Sequence, residues 1–163
     1  MKKHVISLFF YLLLVCSCTG DSMKDLRRAE QALVSNPLEA GLILDKMNPD
    51  KLHGRQAAFY GMLRTRIDYV SGKAISSDSL ARIATDYWGS RRKGKYTSLS
   101  WQSLGYAYSS MNRDAEAIYA LMKSRDLSKD TLSFDLAAIE TLLGNHFRKR
   151  GLFDEAADAF SES

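Results

Sequence analysis

The sequence predicts an all-α array of antiparallel helical hairpins. Three observations carry that expectation. From Met23 onward apolar residues recur at three and four positions, the helical spacing, and not at two. Composition is 45% hydrophobic with only 2 Pro and 10 Gly, and runs of β-branched residues are scarce. Stop signals also recur at hairpin intervals, as Asn36-Pro37, Asn48-Pro49 and Ser71-Gly72. At 163 residues the chain suits one domain or a short run of repeats.

The elements follow in order. Leu26, Ala29 and Leu33 mark a first helix that ends at Asn36-Pro37. Pro37 suits the first turn of the next helix, which carries Leu38, Leu42, Ile43 and Met47. A third runs from about Leu52 to Val70 through Ala57, Tyr60, Leu63 and Ile67. After a polar stretch, Asp78 is expected to cap a helix holding Leu80, Ile83, Ala84, Tyr87 and Trp88. A basic, Gly-containing loop covers Gly89 to Lys95. Helices are then expected at about Leu99–Met111, Asp114–Arg125, Leu132–Arg150 and Phe153–Ser161.

The N-terminus reads as an address. Lys2, Lys3 and His4 precede an apolar run from Val5 to Val15, broken only by Ser7. At ~1.5 Å rise per residue this run is too short for a ~30 Å bilayer core, and it fits a secretory signal. Val15-Cys16-Ser17-Cys18 resembles the bacterial lipobox, which places an aliphatic and then a small residue before the lipidated Cys. The resemblance implies that residues 1–17 are removed, that Cys18 carries the acyl chains, and that residues 18–22 form a tether. Cys16 fits less well, because Val15 would then fill the small-residue slot. The competing reading is a plain signal peptide with an incidental Cys pair. The implied location is the cell envelope, lipid-anchored on the periplasmic side of the inner or outer membrane.

Residues 96–163 carry a repeated pattern. Trp101-x2-Leu104-Gly105-x2-Tyr108 precedes Asn112, Ala117 and Leu121; Leu143-Gly144-x2-Phe147 precedes Gly151, Phe153, Ala156 and Phe160. Gly to Ala spans 12 positions in both, and the two units lie 39 apart. This resembles the tetratricopeptide repeat, whose usual period is ~34, so an extended loop is expected near Leu127–Thr131. Small Gly105 and Gly144 would let the second helix of each hairpin approach closely at Ala117 and Ala156. Residues 23–95 read as degenerate hairpins, in which no Leu-Gly pair stands before the second helix. The whole layout resembles the repeat-containing lipoproteins and sensor proteins of Bacteroidota. It implies a tetratricopeptide-like α-solenoid, either a membrane-tethered module that binds a protein or peptide, or the input portion of a signalling protein.

The chemistry on offer is sparse. The net charge is +4; without Lys2 and Lys3, twenty-one basic residues face nineteen acidic ones, so no nucleic-acid partner is expected. Cys16 and Cys18 are the only cysteines, which leaves the body without a disulfide framework. No two of His4, His53 and His146 stand at metal-ligand spacing, and Gly89–Gly94 lacks the end of a phosphate loop. No metal, cofactor or catalytic residue is expected. His146 reads as a surface or groove histidine. Asp78, Asp86, Asp154 and Glu155 read as residues of caps and helix starts. The basic runs Arg91-Arg92-Lys93 and Arg148-Lys149-Arg150 read as solvated loop and helix end.

The tetratricopeptide resemblance implies one place for a partner. The first helix of each hairpin would line a concave groove, with Gln102, Tyr106 and Ser109 in one unit and Thr141, Asn145 and Arg148 in the next. Asn145 matches the Asn that clamps peptide carboxylates in some members of the family; Thr141 stands where a Lys is expected. At the C-terminus, Leu152, Phe153, Ala157 and Phe160 crowd the last dozen residues. The final hairpin is therefore expected to fray alone, or to be covered by a partner or by self-association.

Overall fold

Asn36 and Pro37 make the first corner. The Asn36 side chain accepts the Glu39 N–H at 3.2 Å, and Pro37 opens the helix with its φ already set. The same device recurs at Asn48-Pro49, where Asn48 accepts the Asp50 N–H at 3.0 Å and starts a short 3-10 turn, Pro49–Lys51. The structure, a computed structural model, describes residues 22–89, 94–128 and 133–163. Among these residues there are eight α-helices and no strand: α1 (22–35), α2 (Pro37–Asp45), α3 (Arg55–Val70), α4 (Ser79–Trp88), α5 (Lys95–Ser110), α6 (Asp114–Ser128), α7 (Ser133–Lys149) and α8 (Phe153–Ser161). The expected signal segment, Cys16, Cys18, most of the expected tether, the run Arg91-Arg92-Lys93 and the later part of the expected extended loop lie outside the described residues.

Several boundaries move from their expected places. Helix α3 begins at Arg55, because Leu52 leaves the 3-10 turn in an extended conformation and is buried. Helix α5 begins at Lys95, four residues early, with Thr97, Ser98 and Ser100 buried in its first turns. These residues look like loop formers in sequence, yet each hydroxyl has an acceptor. Ser100 donates to the Thr97 carbonyl at 2.8 Å, and Ser98 meets the Ser124 carbonyl at 3.1 Å and the Ser128 hydroxyl. Asp78 stands at the start of α4, but its carboxylate binds no helix N–H; it takes Arg82 at 2.8 Å and Arg113 at 3.4 Å. The two guanidinium groups, Arg82 foremost, hold that carboxyl below its ordinary range. Asp86 lies in the last turn of α4, not at a helix start.

Three helices end in the same way. The Lys73 N–H reaches the Asp68 carbonyl at 2.8 Å, Arg113 reaches Tyr108 at 2.9 Å, and Leu152 reaches Phe147 at 3.0 Å. Before each of these donors sits a residue with positive φ: Gly72 at 68°, Asn112 at 56° and Gly151 at 75°. This is the six-to-one bond of a Schellman terminus, and it turns α3 into α4, α5 into α6 and α7 into α8. The α5–α6 and α7–α8 turns therefore share one backbone register. A Cβ on Gly105 would stand 2.7 Å from Leu121, and one on Gly144 would stand 2.6 Å from the Phe160 ring. Sixteen positions separate the partners in both hairpins.

The α3–α4 hairpin has a close crossing of its own. A Cβ on Gly61 would come within 2.3 Å of the Leu80 carbonyl oxygen. Sequence spacing hides this contact, because the 73–78 connection displaces α4 from the interval that marks the later hairpins.

The core is serial. Its first and largest cluster joins Leu26, Leu44, Phe59, Met62, Ile67 and Trp88 across α1 to α4 and takes in Leu99 of α5. A second unites Ala81 of α4 with Leu104, Ala107, Ala117 and Ala120. The last holds Leu121, Ile139, Leu143 and Ala159. Helix α4 abuts α5, and α6 abuts α7, so each hairpin leans on the next. At the far end Phe160 covers Gly144 yet stays 39% exposed, and Phe153 is 68% exposed.

Candidate interaction surface

The expected groove residues divide into two groups. Gln102 is fully buried and meets Arg66 of α3. Tyr106 is buried and stacks on Tyr69 of α3, with centroids 4.2 Å apart and the planes 8° from parallel. Ser109 is half-buried against α7. These three side chains are contacts between first helices and do not face an open groove. The reason is packing: α5 lies against α3, so the face expected to be free is occupied. Thr141 and Arg148 are exposed and Asn145 is half-exposed, all on α7. Arg148 donates to the Asn145 side-chain oxygen Oδ1 at 3.3 Å, which leaves the Asn145 side-chain amide hydrogens and the rest of the guanidinium as further donors.

His146 is not a surface residue. It is 2% exposed, with Nδ1 2.8 Å from the Asp114 carboxylate and Nε2 2.7 Å from Ser109 Oγ. Burial pushes the imidazole pKa down, and the hydrogen bond to Asp114 opposes it. In the neutral ring Nδ1–H donates to Asp114 and Nε2 accepts the Ser109 hydroxyl. The Gly105 carbonyl, 2.8 Å from the same hydroxyl, is its second available acceptor. The atom order is that of a nucleophile, base and acid relay. Ser109 lies inside α5, so its backbone N–H belongs to the helix ladder. What the contact does do is tie α5, the start of α6, and α7 together through one buried ring. Sequence reading missed it because the three residues belong to different helices, and no local spacing announces them.

Glu140 is also buried, at 0% exposed. Its carboxylate lies 3.6 Å from Arg125 without hydrogen-bond geometry, and neither oxygen has a hydrogen-bond partner. Burial pushes its pKa up, and Arg125 opposes the shift.

A cavity of about 730 Å³ opens between α4, α5 and α6, lined in part by Asp86, Trp101, Leu104, Tyr108 and Tyr119. Trp101 and Tyr119 meet edge to face, 6.0 Å between centroids. Among the described residues no group of three or more His, Cys, Asp or Glu is placed to hold a metal ion. No helix among them is long and apolar enough to cross a membrane.

Comparison of the chain with protein-family models, with curated proteins and with solved structures finds no match.

Proposed function

We propose that this chain is a membrane-tethered, tetratricopeptide-like repeat module that binds a protein or peptide and performs no catalysis itself. The observation that supports this most is the repetition of one hairpin geometry. Two successive hairpins share the Schellman turn, the glycine at the crossing and the bulky residue sixteen positions later. A stack of such units offers a broad surface and is a common basis for holding extended partners. Thr141, Asn145 and Arg148 give that surface a row of outward donors suited to carboxylates of a partner. The Ser109–His146–Asp114 contact serves as a clamp between helices.

Anchoring belongs to the same reading. Cys18 is the proposed lipid site, and several acyl chains hold a protein on a membrane where one alone is marginal. Cys18→Ala should abolish acyl labelling, while Cys16→Ala should leave it intact. Continued labelling of Cys18→Ala would remove the tether from the reading.

Partner binding is tested by a photo-crosslinking amino acid placed at Thr141 or Asn145 of the full chain in its native envelope. Both positions should capture the same protein, and Val34, exposed on α1 at the other end, should not. No adduct, or the same adduct from Val34, would sink the interaction reading.

A further inference from the structure

The cavity between α4, α5 and α6 has a charge left over. Arg82 and Asp86 stand one turn apart on the same face of α4, a spacing at which they would pair. Arg82 is instead drawn to Asp78 at 2.8 Å and donates to the Tyr108 hydroxyl at 3.1 Å. Glu116, the other carboxylate on the lining, is held by Arg113 at 2.9 Å. Asp86 therefore makes no ion pair among the described residues. It also sits in the last turn of α4, where the helix dipole already presents negative charge. Asp86 is exposed, so its carboxylate is open to a cation brought to the cavity.

The remaining lining suits one kind of cation. Trp101 and Tyr119 meet edge to face on the lining, which Leu104 shares. Guanidinium groups already lie over aromatic rings in this protein: Arg113 is 4.4 Å from the centroid of Tyr108, itself on the cavity lining, and Arg27 is 5.3 Å from that of Phe59, while the Lys123 ammonium lies 5.7 Å from that of Tyr119. A guanidinium offers a flat face for Trp and Tyr and a two-pronged edge for a carboxylate, which an ammonium does not. The cavity is open and larger than one side chain needs, so a polypeptide can lay its flanking residues across the mouth.

We propose that this cavity receives an arginine side chain of a partner polypeptide, with Asp86 taking the charge and Trp101 and Tyr119 the face. The proposal rests on the partner-binding reading only for the source of the arginine.

The chain has two tryptophans, and Trp88 is buried in the first core, so the Trp101 indole signal reports on the cavity. The ¹⁵N-labelled full chain is titrated with acetyl-Gly-Ala-Arg-Ala-Gly-amide, with its Lys and Glu counterparts, and with free arginine. The arginine peptide should move the Trp101 indole signal saturably and leave that of Trp88 in place. The lysine peptide and free arginine should bind more weakly, and the glutamate peptide should do nothing. Asp86→Asn and Tyr119→Ala, both at exposed positions, should each weaken binding about fivefold or more while melting as the parent does. No saturable movement, an equal response to the glutamate peptide, or unchanged affinity in Asp86→Asn would overturn the site. Equal affinity for lysine would overturn the choice of arginine. Equal affinity for the free amino acid would overturn the polypeptide. The titration needs no partner, so its failure leaves the interaction module standing, and a blank crosslinking result does the reverse.

Discussion

Replacing Gly105 by Ala tests the closest contact in the α5–α6 hairpin. The added Cβ would stand 2.7 Å from both Cγ and Cδ2 of Leu121, where carbon pairs normally rest at ~3.5–4 Å. Leu121 must retreat by about 1 Å, and it has nowhere to go. It is fully buried in a cluster with Ile139, Leu143 and Ala159. Overpacking of this kind costs about 1–3 kcal/mol, and the better helix propensity of Ala returns about 1. The expected net loss is about 1 kcal/mol, or about 3 °C in melting temperature for a chain of this size. Gly144→Ala makes the sharper comparison. Its Cβ would stand 2.6 Å from the Phe160 ring, a nominally worse clash. But Phe160 is 39% exposed near the end of α8 and can swing into water, so propensity should offset the strain and leave Tm nearly unchanged. Thermal melts followed by far-ultraviolet circular dichroism read both variants. A double-mutant cycle completes the test: Leu121→Ala should cost about 1 kcal/mol less in the Gly105→Ala background than in the parent chain. Equal shifts in the two glycine variants, or strict additivity in the cycle, would refute the reasoning.

Three further outcomes are expected. Glu140→Gln should raise Tm at about pH 8 and lose that gain toward acid. The folded-state pKa is raised by burial, so the carboxyl stabilises the fold below its unfolded value of 4.5, and that contribution is lost as pH rises through the folded value. His146 gives the opposite slope: its folded pKa is depressed by burial, so stability should fall as pH drops below 6.5 toward the folded value. That slope, measured by urea unfolding, should vanish in His146→Gln, and its persistence would exclude the ring as its cause. Asn36→Ala should cost about 1 kcal/mol by removing the cap of α2, while Asn36→Asp should cost little, and equal losses in the two would discount the cap.

Much of the fold was legible because its signals are local. Asn36-Pro37, Asn48-Pro49 and the start of α8 depend on residues a few positions apart, and the Gly105 and Gly144 spacings on residues within one hairpin. Gly61 escaped notice because an extra stretch of connection moved its partner Leu80 out of step. The early start of α5 escaped because buried serines bonded to carbonyls look like loop in sequence. The candidate surface was only half legible. Thr141, Asn145 and Arg148 are open, but Gln102 and Tyr106 are covered by α3, and helical periodicity cannot say which neighbour fills a face. Asp86 needed the fold most. Its meaning comes from lying at the wrong end of α4 with its natural partner turned away.

The serial core grades the molecule from one end to the other. Among the described residues, fifteen buried side chains share the first cluster and four share the last, where Phe153 and Phe160 remain in contact with water. A serial core of this kind is expected to open first where its buried cluster is smallest. Local openings should therefore concentrate in α7 and α8 before they reach α3, a compliance gradient set by the order in which the helices are stacked.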